Sequence, residues 1–142
     1  SSTSRGLGDV YKRQGTTMQL TATVTAIGKD ALSSKDPMII LFGPQATDAL
    51  RDVAVIQQFA DKSALEKLVI KAGDQLTIDD ETFEMTYVGQ LANSNLKAIG
   101  HVTLLFQAVP ADKPMQNAIY LKPTHRPTFK VGTTLTYITQ AN

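Results

Sequence analysis

An all-β fold, a closed or nearly closed β-barrel with one short helical insert, is what this sequence predicts. Three observations carry it. Short segments of alternating or continuously apolar residues recur along nearly the whole chain. Turn signals built on Gly, Pro, Asn and Asp separate them at short intervals. Many short strands with frequent turns are the mark of a barrel or sandwich. Only one segment, Gly89 to Gly100, reads as a convincing non-strand insert.

The elements follow in order. Ser1 to Gln14 is polar and has no apolar period, and Asp9 to Gln14 (D-V-Y-K-R-Q) resembles the translation of a sequencing-library adapter. Residues 1–14 are therefore set aside as a technical scar, with Met18 the expected natural start and residues 15–142 a single domain. Met18 to Ile27 alternates apolar residues with threonine and ends at Gly28, the period of a half-buried strand. Met38 to Phe42 is continuously apolar between Pro37 and Gly43-Pro44, which suits a strand covered on both faces. Ala46 to Arg51 predicts one or two helical turns with Thr47 as a weak N-cap. Val53 to Phe59 is the next strand, and Leu68 to Ile70 is strand-like before a turn at Lys71 to Asp74. Gln75 to Ile78 and Thr82 to Val88 flank Asp79-Asp80-Glu81 as a hairpin. Within the insert, Asn93 or Ser94 caps a short helix through Leu96 to Ala98, and Gly100 ends it. His101 to Gln107, Ala118 to Leu121 and Thr133 to Ile138 complete the strands. Val109 to Gln116 and Pro123 to Pro127 are loops.

Composition excludes several function classes. Without the leader the formal charge moves from +1 to −1, and the basic residues form no stripe, so nucleic acid is not an expected partner. With no cysteine there is no disulfide, thiolate metal site or cysteine nucleophile. No apolar run is long enough to span a bilayer and no signal peptide precedes Met18, so a cytoplasmic location is expected.

Two histidines hold the chemistry. Strand parity sends His101, Thr103 and Leu105 to one face and Val102, Leu104 and Phe106 to the core. His101 is either a proton- or phosphoryl-carrying group or a structural ring bonded to nearby backbone. His125-Arg126 either holds a phosphate in a fork or forms a solvated loop. Asp79, Asp80 and Glu81 point apart on a turn, which argues against an acid/base pair or a hard-cation site. No phosphate-cradling loop, nucleophile elbow or paired-histidine metal motif occurs.

Ala26-Ile-Gly28, Met38-Ile-Ile-Leu-Phe42 with Ala46-Thr-Asp-Ala-Leu50, Val88-Gly89, Asn95-Leu96, Gly100-His-Val-Thr103 and Val131-Gly-Thr-Thr-Leu135 occur in that order. The set resembles the glucitol/sorbitol-specific component IIA of the bacterial sugar phosphotransferase system (PTS), over Gly28 to Tyr137. The resemblance implies a closed β-barrel and a phosphoryl relay, for which no metal or organic cofactor is expected. A histidine phosphocarrier protein would donate to a histidine of IIA, which passes the group to component IIB of a IIB/IIC pair during uptake of a sugar alcohol. It also implies an acceptor histidine after an isoleucine, where this chain has Ile56-Gln57. A carboxamide nitrogen has its lone pair delocalised into the carbonyl, so Gln57 cannot be an equivalent nucleophile, though it can hydrogen-bond a phosphate. His101 falls on the family's Gly-His-Val-Thr run and would be the assisting imidazole. Two roles stay open: a relay with His101 or a shifted group as acceptor, or a IIA-like barrel that has lost transfer and binds or regulates. An unrelated β-barrel binding module is a third.

Overall fold

The computed structural model describes residues 17–32 and 35–140. The leader reading, residues 1–14, lies outside them. Eight strands among the described residues close into one barrel: β1 (Thr17–Ile27), β2 (Met38–Phe42), β3 (Val55–Phe59), β4 (Gln75–Ile78), β5 (Glu81–Val88), β6 (Val102–Leu105), β7 (Ala118–Lys122) and β8 (Thr134–Gln140). Around the barrel they run β1-β3-β2-β6-β7-β5-β4-β8, back to β1. β2 pairs with β3, and β6 with β7, in parallel, while the remaining neighbours are antiparallel. Closure leaves no strand edge exposed for pairing with another chain.

Alternation fills the interior. Leu20, Ala22 and Val24 of β1, Ile39 and Leu41 of β2, Val102 and Leu104 of β6, and Leu135 and Tyr137 of β8 all belong to one buried core. Full burial of each large apolar side chain stabilises the fold by about 1.5–3 kcal/mol. Outward-facing residues form smaller clusters. One is Phe42, Ala54 and Ile56, with Ala26, Ile40 and Ala46 packed on it. The predicted parity of β6 holds, because Val102, Leu104 and Phe106 all join the main core.

Among the described residues there are three short helices: α1 (Asp48–Arg51), where the sequence predicts helical turns, α3 (Ala92–Ile99), the predicted insert, and α2 (Lys62–Lys67), which the sequence reading did not foresee. Thr47 stands at the N-cap of α1 but makes no side-chain cap bond. α2 is started by Asp61, whose carboxylate accepts from the Ala64 N–H. α3 is longer than the sequence predicts, and Asn93 lies inside it instead of capping it. Asn93 reaches sideways instead: Ile70 N–H donates to its Oδ1 at 2.8 Å, and its Nδ2 donates to Ile70 O at 2.9 Å. One carboxamide thus satisfies the backbone that a neighbouring strand would otherwise satisfy, so Leu68 to Ile70 is buried in part without being a strand. β3 begins at Val55, two residues later than predicted, because Val53 and Ala54 form backbone bonds to the end of α1. Gly28 packs against this turn so closely that a Cβ would lie 1.9 Å from Arg51 O.

Candidate functional site

The two candidate residues meet at Gly100. This glycine ends α3 with φ 65°, a left-handed conformation that costs a side chain about 1–2 kcal/mol. Its N–H donates to Leu96 O and the His101 N–H to Asn95 O, which satisfies the last carbonyls of α3. Gly43, just after β2, lies against it: Gly43 N–H donates to Ile99 O at 2.8 Å. The end of α3 is therefore fixed to the end of β2, and β6 starts beside both.

Gln57 is on the inside of this wall. β3 alternates, so Val55, Gln57 and Phe59 face the interior while Ile56 joins the outer cluster. Gln57 is 0% exposed, yet both ends of its amide are bonded. Its Nε2 donates to Gly100 O at 3.1 Å, and its Oε1 accepts from the Tyr137 hydroxyl at 2.8 Å. Burial pushes the Tyr137 phenol well above its ordinary range, and the bond to Gln57 offsets part of that rise. Gln57 lines a cleft of about 510 Å³ together with Phe59, Lys62, Lys97 and Gly100.

His101 is on the outside. Its ring stacks on Phe42 with centroids 3.9 Å apart and planes 9° from parallel. Its Nδ1 lies 3.0 Å from Leu41 O. A carbonyl oxygen can only accept, so Nδ1 carries the hydrogen and Nε2 keeps the lone pair. The ring is half-buried and does not line the cleft. Gln57 and His101 are thus brought to the same glycine but leave the wall on opposite faces.

The remaining candidates lie elsewhere. His125 Nε2 is 2.7 Å from Glu81 Oε2 in an exposed pair, and Arg126 donates to Asp36 O at 3.2 Å. Asp79 takes up the turn with φ 51° and accepts from the Thr134 N–H, so this acidic run is a solvated hairpin turn tied to β8. Among the described residues, no group of three or more His, Cys, Asp or Glu side chains could hold a metal ion. Sequence reasoning missed Tyr137 and Phe42. Parity would have sent Tyr137 inward with Leu135 and Phe42 outward with Ile40, but their partners lie far away in sequence.

Fold and site define a class: a small closed β-barrel in which a backbone-bonded histidine follows a glycine-capped helix end. The family model "PTS system glucitol/sorbitol-specific IIA component" matches residues 19–136. The chain belongs to that family. It is 33% identical over 89 residues to the "PTS system glucitol/sorbitol-specific EIIA component" of Escherichia coli (strain K12), covering 61% of this chain and 68% of that protein. The protein of the same description from Shigella flexneri matches with the same identity and coverage. The crystal structure of a PTS system IIA component from Enterococcus faecalis V583 superposes with a TM-score of 0.78 at 44% identity, covering 84% of this chain and 99% of that one.

Proposed function

We propose that this chain is the IIA component of a sugar-alcohol phosphotransferase system and that Nε2 of His101 takes up the phosphoryl group. One observation carries the assignment of the acceptor: the 3.0 Å contact of His101 Nδ1 with Leu41 O, which leaves the lone pair on Nε2. An acceptor needs that lone pair. In the step, the bond between phosphorus and the donor's imidazole nitrogen breaks and its electron pair returns to the donor. The Nε2 lone pair forms the new bond to phosphorus, and Nδ1 keeps its hydrogen. The donor is the histidine phosphocarrier protein, and the next acceptor is component IIB. Residues 15–142 act on this reading as one IIA domain in the cytoplasm, where the phosphocarrier protein would meet it. No helix among the described residues is long and apolar enough to cross a membrane.

A second reading rests on Gln57. Its amide is fully buried and bonded at both ends, where the family resemblance implies the acceptor histidine. On that reading the barrel binds phosphorylated partners without taking the group. One experiment separates the two. The protein is incubated with phosphoenolpyruvate, the general PTS enzyme and the phosphocarrier protein, and acid-labile phosphate is measured. The relay reading expects label in the wild type and in His125→Ala, and none in His101→Ala. Absence of label, under conditions that charge a relative with the Ile-His pair, would leave the binding reading.

A further inference from the structure

We propose that Phe42 is a positioning residue for His101: its ring holds the plane in which the imidazole keeps its Nδ1–H bond to Leu41 O, and through that bond the tautomer that meets the phosphoryl group. The proposal rests on the relay reading and adds to it the residue that orients the acceptor.

A single bond from Nδ1 to Leu41 O leaves an imidazole free to rock about the bond axis. Phe42, the next residue after that acceptor, removes this freedom. It presents its face to the imidazole at 3.9 Å and 9°. The other ring pairs among the described residues meet at 37° to 73°, so a parallel stack is not the general packing habit of this barrel. Phe42 is itself held. It is 8% exposed and packs on Ala54 and Ile56 in the outer cluster. The His101 backbone is held from the other side by Asn95 O. The imidazole therefore has a fixed base, one in-plane acceptor and one covered face.

The stack also has an electrostatic consequence. When Nε2 gives its lone pair to phosphorus, positive charge develops on the ring, with Nδ1–H still bonded to Leu41 O. A phenyl face is the negative part of its quadrupole and attracts that charge. Its effect is larger in the transition state than in the resting ring, so it acts on the rate of transfer and not on docking of the donor.

The test compares Phe42→Leu, Phe42→Tyr and Ile56→Ala. Ile56→Ala loosens the same cluster and leaves both stacked rings in place. The readouts are the kcat and KM for the phosphocarrier protein, and the His101 tautomer by ¹⁵N NMR of the unphosphorylated protein. In Phe42→Leu, kcat falls about 3- to 10-fold at unchanged KM, and Nε2-protonated tautomer appears. Phe42→Tyr restores both, and Ile56→Ala alters neither. A wild-type tautomer and rate in Phe42→Leu, a change confined to KM, or an equal loss in Ile56→Ala would overturn the proposal. If the wild type takes up no label, the relay reading falls by itself. The tautomer comparison then decides alone whether Phe42 sets the ring.

Discussion

Inside and outside the wall formed by β2, β3 and β6, two polar side chains meet the same glycine under opposite conditions. Gln57 lies in an apolar interior with both amide ends bonded. His101 lies half-buried on the outer face, with one ring nitrogen bonded to backbone. A buried amide left without partners costs stability, so Gln57 is tied into the fold. A half-exposed imidazole with a lone pair is available to chemistry and contributes little to folding. The difference teaches that position in the wall decides how firmly each polar side chain is tied into the fold: Gln57 by both ends of its amide, His101 by one ring nitrogen. On the relay reading it would also separate stability from activity at sites that share one glycine.

The largest effect comes from breaking the shared hinge. In Gly100→Ala, the new Cβ would lie 2.8 Å from the Cα and N of Gly43, on top of the cost of a left-handed backbone. We expect a loss of about 3 kcal/mol or more, because the contact is with backbone and cannot be relieved by turning a side chain. Urea unfolding measures it. A loss below about 1 kcal/mol would show that the end of α3 moves away from β2 freely.

Next in size is the inside residue. Gln57→Ala leaves the Tyr137 hydroxyl and Gly100 O without partners and opens a cavity under the cleft. Together these cost about 2–4 kcal/mol. If thermal unfolding of this variant matched the wild type, the amide would not be the tie described here.

Much of this was legible in the sequence. Alternation in Met18 to Ile27, the continuous apolar run Met38 to Phe42, and the parity of His101 to Phe106 fixed strands and their faces without any long-range information. Gly100 announced the end of α3. Where reading failed, the cause was a partner distant in the chain. Leu68 to Ile70 has a strand's composition, but Asn93 supplies its hydrogen bonds. α2 buries only Leu65, too little to show a helical period, though Asp61 was a usable start signal. His101 was visible as a candidate and Gln57 as a departure from the family pattern. That they stand on opposite faces depends on the register of β3 against β1 and β2, which one sequence does not contain.

The smaller inside perturbation is Tyr137→Phe, which removes the donor to Gln57 Oε1 and costs about 1–2 kcal/mol near neutral pH. Its pH dependence is distinctive. The phenol is raised in the folded chain, so below about pH 10 it is protonated in both folded and unfolded states and its contribution is complete. As pH rises further, the unfolded phenol ionises first. The folded state then binds more protons, and stability falls by up to about 1.4 kcal/mol per pH unit. The gap between wild type and Tyr137→Phe should narrow from about pH 10 upward as that slope sets in. A constant gap would mean that the phenol ionises without opening the core.

The smallest effect on stability is expected outside. His101→Ala removes one hydrogen bond to Leu41 O and one face of the Phe42 stack, both on a half-buried ring that water can partly replace. The cost is about 1 kcal/mol or less. The same substitution abolishes phosphoryl uptake if His101 is the acceptor, whereas Gln57→Ala lowers stability and leaves the imidazole and its partners in place. Measured together at a temperature where both variants are folded, the pair should separate cleanly: His101→Ala stable and unlabelled, Gln57→Ala less stable and labelled. The reverse pattern, a stable Gln57 variant that takes no label, would move the chemistry to the inner face and make the cleft above Gln57 the place where the donor delivers its group.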